Sequence, residues 1–380
     1  MAALWQAQPP RHVLRDMPDA HKVAIIGTVG LPARYGGFET LAGELVCAAA
    51  QRGVAHRLTV WCSAPQTPAP RPTEHLGAAL RYLPLRANGV QSIPYDALSL
   101  LQAAQSGHGA ALVLGVSGAV ALPLIRRLSG MRIITHLDGL EWQRPKWGGL
   151  ARAVLHRSER LAARWSHEIV ADNPEIATHI RQSYGRDPAQ IAYGHENAAP
   201  IAPVEDLNLP VRYGLAIARA EPENNLALIL DAFSKGNVQL PLVAVSNWQA
   251  TDHGRTLKAH HAHHPHLHLI EAEYDPARLN AIRQGAAIYL HGHSAGGTNP
   301  ILVRMMGAGL PIAAWDCGFN RATTHGRAAY FDSVESLQSV VVRLCDPAHG
   351  PLMATDLRTI AEQHYRWEDV TAAYFRLLGL

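Results

Sequence analysis

The stretch at 293–300, His-Ser-Ala-Gly-Gly-Thr-Asn-Pro, has the residue types of an anion-binding loop. Gly296 and Gly297 can take backbone conformations that other residues resist, and they let peptide N–H groups come close to a ligand. Asn299 is a preferred helix N-cap and Pro300 suits the first helical position, so a helix is expected to open here. Its N–H groups and the positive end of its dipole would face whatever lies above the loop, and phosphate is the usual occupant. The chain contains no Asp-x-Asp pair, so a diphosphate at this loop would be neutralised by protein cations and helix dipoles rather than by Mg²⁺. Arg219, at the end of the strand-like run Tyr213–Ala220, is placed for that work.

A second glycine loop, residues 27–40, carries Gly36 and Gly37 ahead of a helical stretch. It is longer than an ordinary strand-to-helix connection, and unusual length often marks a functional loop. The dinucleotide fingerprint fails in it: Val29 and Pro32 stand where Gly-x-Gly-x-x-Gly needs glycine, and no acidic residue ends the next strand. Nicotinamide chemistry is therefore disfavoured. The histidine-rich stretch 260–268 follows no metal-ligand spacing and is expected to be a polar, solvated connection. The cysteines, Cys47, Cys62, Cys317 and Cys345, form no Cys-x-x-Cys pair, and free buried thiols are expected.

The elements around these loops alternate between strand and helix. Residues 22–27 are a short apolar run, and the helix after it places Leu41, Leu45 and Ala49 on one face with Gly53 at its C-terminal end. Strand-like runs recur at 56–63, 110–116, 131–137 and 167–173, each followed by a helix-like segment, which is the pattern of a parallel α/β sheet. The proline-rich stretch 197–210 reads as a linker, after which runs at 213–220, 240–246, 267–273, 286–292 and 311–316 restart the alternation. Open α/β sheets bind ligands where a strand turns into a helix, so each half offers one glycine loop for that purpose.

At 380 residues the chain suits two domains, and 48% hydrophobic with 17% charged residues is an ordinary globular composition. The formal charge of +3 does not suggest nucleic acid. Residues 1–20 lack an apolar segment of secretory length and are expected to be a loose tail. The uncharged run 109–125 would span roughly 26 Å as a helix, short of the ~30 Å hydrocarbon core, and its glycines and proline mark strand, turn and helix instead.

Five ordered stretches, residues 23–41, 137–147, 218–225, 291–303 and 319–324, together resemble bacterial rhamnosyltransferase-type members of glycosyltransferase family four. The first matches their Thr-x-Gly-x-Pro-Ala-x-Tyr-Gly-Gly-Phe-Glu-Thr motif. The resemblance implies the α/β GT-B fold: two Rossmann-like domains facing across a cleft, at 21–200 for the acceptor and 201–360 for a nucleotide-sugar donor. A C-terminal helix in 361–380 would cross back to the first domain. It also implies metal-independent transfer with retention, from a donor such as dTDP-rhamnose to a glycan or lipid-linked glycan in surface polysaccharide synthesis, with no cofactor.

Carried over by position, the resemblance assigns donor binding to Gly36, Gly37, Asn225, His293, Ser294, Gly296, Gly297, Thr298, Asn299 and Arg304. Arg219 would neutralise the departing diphosphate. Asp138 and Glu141 would orient or deprotonate the acceptor hydroxyl. One departure stands out: where family members usually carry a glutamate that accepts from ribose hydroxyls, this chain has Arg304, which can only donate. So early in its helix, a cation is at odds with the dipole unless an anion lies nearby. A catalytically weak nucleotide-sugar-binding or partner protein of the same fold is the alternative expectation. The basic stretch 144–165, with Arg144, Lys146, Arg152, Arg157, Arg160 and Arg164 against Glu159, would suit an anionic membrane surface. A cytoplasmic protein, peripheral at the inner face of the plasma membrane, is expected.

Overall fold

The computed structural model describes residues 21–33, 36–137, 139–140, 142, 148–196, 200–235 and 238–380. Asp138, Glu141, Arg144, Lys146 and the tail at 1–20 lie outside the described residues. The chain divides into two compact units, one running to Tyr193 and including Trp367–Leu380, the other Gly194–Arg366. The sequence alone puts these changes at 200 and 361.

In the first unit the strands are β1 (Val23–Ile26), β2 (Leu58–Ser63), β3 (Glu74–His75), β4 (Ala78–Leu83), β5 (Ala110–Leu114), β6 (Arg132–Leu137), β7 (Glu168–Ala171) and β8 (Ala189–Gln190). They lie in the order β3-β4-β2-β1-β5-β6-β7-β8. All neighbours are parallel except the edge pair β3 and β4. The helices are α1 (Gly37–Gln51), α2 (Ser92–Gln105), α3 (Leu122–Leu128), α4 (Gly149–Trp165) and α5 (Pro174–Tyr184). Strands covered on both faces must be apolar throughout, and β1, β2 and β5 are buried at every position. Leu41, Leu45 and Ala49 form the buried face of α1, and Gly53 takes φ +72° just past its end. The run 109–125 divides into β5, a 3-10 turn and the start of α3; no described helix is long and apolar enough to cross a membrane.

The second unit holds β9 (Tyr213–Ile217), α6 (Leu226–Ser234), β10 (Leu242–Ser246), α7 (Asp252–His261), β11 (Leu267–Glu271), α8 (Pro276–Gln284), β12 (Ala286–His291) and α9 (Pro300–Gly307). β13 (Ile312–Trp315), α10 (Gly318–Thr323), β14 (Ala329–Phe331), α11 (Val334–Cys345) and α12 (Gly350–His364) complete it. Its sheet runs β11-β10-β9-β12-β13-β14, with every pair parallel. The histidine-rich stretch is only partly the solvated connection expected: His260 and His261 end α7, His268 lies in β11, and His261 is buried 3.6 Å from Asp231.

The last helix, α13 (Trp367–Leu378), belongs to the first unit, where Trp367, Val370, Tyr374, Phe375 and Leu378 join the core that α1 covers. His21 Nε2 lies 2.7 Å from the Leu378 carbonyl and Arg57 donates to the Gly379 carbonyl at 3.0 Å, which ties down the chain beyond α13. Of the cysteines only Cys62 is buried, and burial raises its thiol pKa to about 11. The expectation of buried thiols is corrected for Cys47, Cys317 and Cys345, which are half-buried.

Candidate functional site

In the second unit the strand order reverses between β9 and β12, which are paired neighbours although far apart in sequence. At such a switch point the loops leaving the two strands diverge to opposite faces and open a crevice at their carboxyl ends. Arg219 follows β9, and the loop 293–299 follows β12. The tertiary order thus brings Arg219, Asn225 and the glycine loop to one edge of one sheet.

Short polar contacts fix this edge. The Ser294 N–H and hydroxyl both donate to the Glu223 carbonyl, each at 2.9 Å. Asn225 Nδ2 donates to the Gly292 carbonyl at 2.8 Å, and Asn224 Nδ2 to the Arg219 carbonyl at 2.9 Å. From the other side, Asn320 of α10 donates to the carbonyls of His293 and Trp315, both at 2.9 Å. Both donors of Ser294 are therefore spent on holding the loop. The Arg219 side chain is exposed. Sequence reasoning missed Glu223, Asn224 and Asn320 in these roles; their stretches are recognisable, but carbonyl partners are set by tertiary packing.

At the helix opening, Asn299 Oδ1 accepts the Ile301 N–H at 2.9 Å and Pro300 has no N–H to offer. An anion here must therefore be met mainly by the loop's own amides and the α9 dipole. Gly296 adopts φ +128°, a conformation that side chains rarely tolerate, with open space where a Cβ would stand. Gly297 is not among the positive-φ glycines, and Thr298 is buried. His293 stacks on His291 with ring centroids 4.4 Å apart. His291 is fully buried, and burial, then the neighbouring His293, holds its pKa well below the ordinary value, so it is neutral.

Arg304 lies in the last turn of α9, because the helix is only eight residues long. The expected conflict with the dipole is thereby corrected: a helix this short brings Arg304 toward the favourable C-terminal end. Its charge acts on Arg283 of α8.

The first glycine loop follows β1, beside the reversal of order between β1 and β5 in its own sheet. Gly36 caps α1 with φ +100°, and Gly37 is the first helical residue. A Cβ on residue 36 would collide with the Glu39 carboxylate, whose other oxygen accepts the Val29 N–H at 2.7 Å. The chain thus supplies its own anion at the α1 N-terminus, a favourable place for it. The rest of the loop is pinned by Tyr95 donating to the Thr28 carbonyl at 2.9 Å and by Ser63 N–H donating to the Val29 carbonyl at 2.8 Å.

Along α4, Arg152, Arg157, Arg160 and Arg164 are exposed. The one acid, Glu159, is buried and accepts from Trp142 Nε1 at 3.0 Å and the Tyr184 hydroxyl at 2.6 Å, with His179 Nε2 at 2.7 Å. Among the described residues no group of three His, Cys, Asp or Glu could hold a metal ion.

The two sheets and their switch points define a class, the pair of Rossmann-like domains of GT-B proteins, and solved structures bear this out across nearly the whole chain. Sucrose-phosphate synthase from Thermosynechococcus elongatus is similar with a TM-score of 0.79 at 15% identity, covering 94% of this chain and 98% of that one. HepE from Anabaena, in complex with UDP-glucose, has a TM-score of 0.70 at 14% identity over 94% and 99% of the two chains. The catalytic domain of starch synthase IV from Arabidopsis thaliana, bound to ADP and acarbose, has 0.69 at 12% identity over 95% and 99%. Residues 20–196 match the family model of a domain of unknown function, DUF1972. No curated protein sequence matches the chain.

Proposed function

We propose that the chain is a glycosyltransferase that moves a sugar, rhamnose by the resemblance of its first motif, from a nucleotide-diphosphate donor to a glycan or lipid-linked glycan acceptor. The transfer retains anomeric configuration and needs no metal, and it serves surface polysaccharide synthesis at the inner face of the plasma membrane. One observation carries the reading: the loop 293–299 and Arg219 converge at the β9/β12 switch point, on an edge fixed by Ser294, Asn225 and Asn320. It is supported by the UDP-, UDP-glucose- and ADP-bound states in which proteins of similar fold are known.

In this reading the bond between the anomeric carbon and the diphosphate oxygen breaks, and the electron pair leaves with the diphosphate. Loop amides at 296–299, the α9 dipole and the Arg219 guanidinium stabilise the charge that develops there, a contribution of several kcal/mol for preorganised donors, about 3–4 per well-placed group. The acceptor hydroxyl bonds to the anomeric carbon on the face the diphosphate leaves, and its proton departs with the diphosphate or to Asp138 or Glu141. The resemblance would also have Gly36 and Gly37 approach the donor phosphates, at a helix N-terminus where Glu39 already supplies a carboxylate.

A thermal-shift screen of the full chain against dTDP, UDP, GDP and ADP and their sugars, without added metal, tests this, because a ligand that binds only the folded state raises the melting temperature. One diphosphate is expected to give a clear shift, and no shift with any of them would sink the reading. The like-charged pair Arg283 and Arg304 favours a second reading, a catalytically weak nucleotide-sugar-binding or partner protein. Gain of transfer activity in Arg304→Glu would favour that reading, and loss of activity would favour the first.

A further inference from the structure

Arg283 lies in the last turn of α8 with only 5% of its surface exposed. One of its amines donates to Asn280 Oδ1 at 2.9 Å, while Nε and Nη2 are buried without a hydrogen-bond partner. A guanidinium only donates, and buried donors left unmatched are strongly unfavourable. Among the described residues no carboxylate forms an ion pair with Arg283. The charge that does reach it has the same sign: burial first, then Arg304, lowers its pKa to about 9, which still leaves it a cation at neutral pH.

Both arginines line a cavity of about 510 Å³ in the second unit, together with His195, Asn280, Gly307 and one carboxylate, that of Glu196. That volume falls in the range of roughly 300–1,000 Å³ typical of small-molecule sites. Gly307 has a local reason to be glycine, since a Cβ there would collide with the His195 ring. Its absence lets the imidazole lie against α9 at the cavity wall. Nε and Nη2 of one guanidinium form the edge that matches two oxygens of an oxyanion.

We propose that Arg283 and Arg304 form a binding site for a phosphate monoester. The cavity lining includes none of residues 293–299, so this phosphate is a different group from any anion held by that loop. It is carried either on the ribose of a nucleotide or on a separate phosphorylated sugar. The site does not depend on the glycosyltransferase reading, since it requires only the second unit's own residues.

The test is calorimetric titration of the full chain with inorganic phosphate, beside melting curves. Saturable binding is expected, lost in Arg283→Met and in Arg304→Gln and weakened at least tenfold in Arg283→Lys, which keeps the charge but not the fork. The melting temperature of Arg283→Met without phosphate is expected to equal or exceed that of the native chain, whereas a purely structural arginine would lower it. Displacement of phosphate by a nucleoside 3′,5′-bisphosphate or by a sugar phosphate supports the site and assigns its source. Absence of saturable phosphate binding by the native chain, or equal binding by Arg304→Gln, overturns the proposal. ADP or UDP binding that persists at saturating phosphate supports two separate sites. Failure of ADP and UDP to bind while phosphate still does overturns the role of the loop 293–299 and supports the site at Arg283 and Arg304.

Discussion

The Glu39 carboxylate fills the space that a side chain on residue 36 would need, so Gly36 and Glu39 act as one unit at the start of α1. Gly36→Ala must both adopt an unfavourable φ and push the carboxylate off the Val29 N–H. It is expected to destabilise the first unit by at least ~2 kcal/mol. In Glu39→Ala the obstacle is gone, so the double variant should fall short of the sum of the single changes. Denaturant unfolding of the four proteins measures this, and strict additivity would show that the two residues do not share the space.

Asn225 holds the start of the loop 293–299 through one side-chain hydrogen bond to Gly292, while its backbone sits at φ +50°, ψ +28°. Asn225→Gly keeps that backbone accessible and removes only the bond to Gly292. Stability is expected to change by no more than about 1 kcal/mol, while affinity for the preferred nucleoside diphosphate falls roughly fivefold. Calorimetry on both proteins would separate the effects. Unchanged affinity would mean that Ser294 and Asn320 suffice to hold the loop.

His136 faces Tyr374 across the core of the first unit, with Nδ1 2.9 Å from the phenol oxygen and Nε2 buried without a partner. Burial lowers its pKa to about 3 from the ordinary 6.5. Between those values the unfolded chain binds a proton that the folded chain does not. The stabilising contribution is therefore complete above pH 6.5 and is lost progressively as pH falls toward 3, by at most about 1.4 kcal/mol per pH unit. His136→Gln should make the decline between pH 6.5 and 4 shallower by up to one proton's worth, read from urea midpoints. An identical slope in both proteins would place the titration elsewhere.

The exposed arginines of α4 give the first unit a one-signed face, because Glu159 is turned inward. Full-length protein is expected to bind vesicles rich in phosphatidylserine, with affinity falling steeply as salt rises. Each basic residue near such a surface contributes about 1 kcal/mol. Replacing Arg152, Arg157, Arg160 and Arg164 with Gln should abolish sedimentation with vesicles. Binding insensitive to salt, or none by the native chain, would remove the membrane from the proposal.

Much of this architecture was legible in the sequence because fully buried parallel strands must be continuous apolar runs. β1, β2, β5, β6, β7, β9, β10, β12 and β13 all fall on runs identified that way, and β11 does so although only its Leu267 is buried. The short strands β3, β8 and β14 were not, since two or three residues carry no periodicity. Nor was β4, Ala78–Leu83, which alternates buried with more exposed positions at the less covered side of the sheet. The Asn299–Pro300 helix opening was readable because capping is a contact between near neighbours.

What the sequence determined by itself was therefore local: strands from apolar runs, helix openings from cap residues, glycine where the backbone turns at Gly296 and Gly36. The tertiary structure alone decided which loops share an edge, because the reversal between β9 and β12 depends on strand order, and strand order leaves no periodic mark on the chain. It alone turned Glu159 inward, set Glu39 against Gly36, and buried Arg283 where the charge of Arg304 reaches it. Each of these is a long-range or shape-dependent contact, and the free energy of burying a charge is fixed by what surrounds it rather than by what precedes it in sequence.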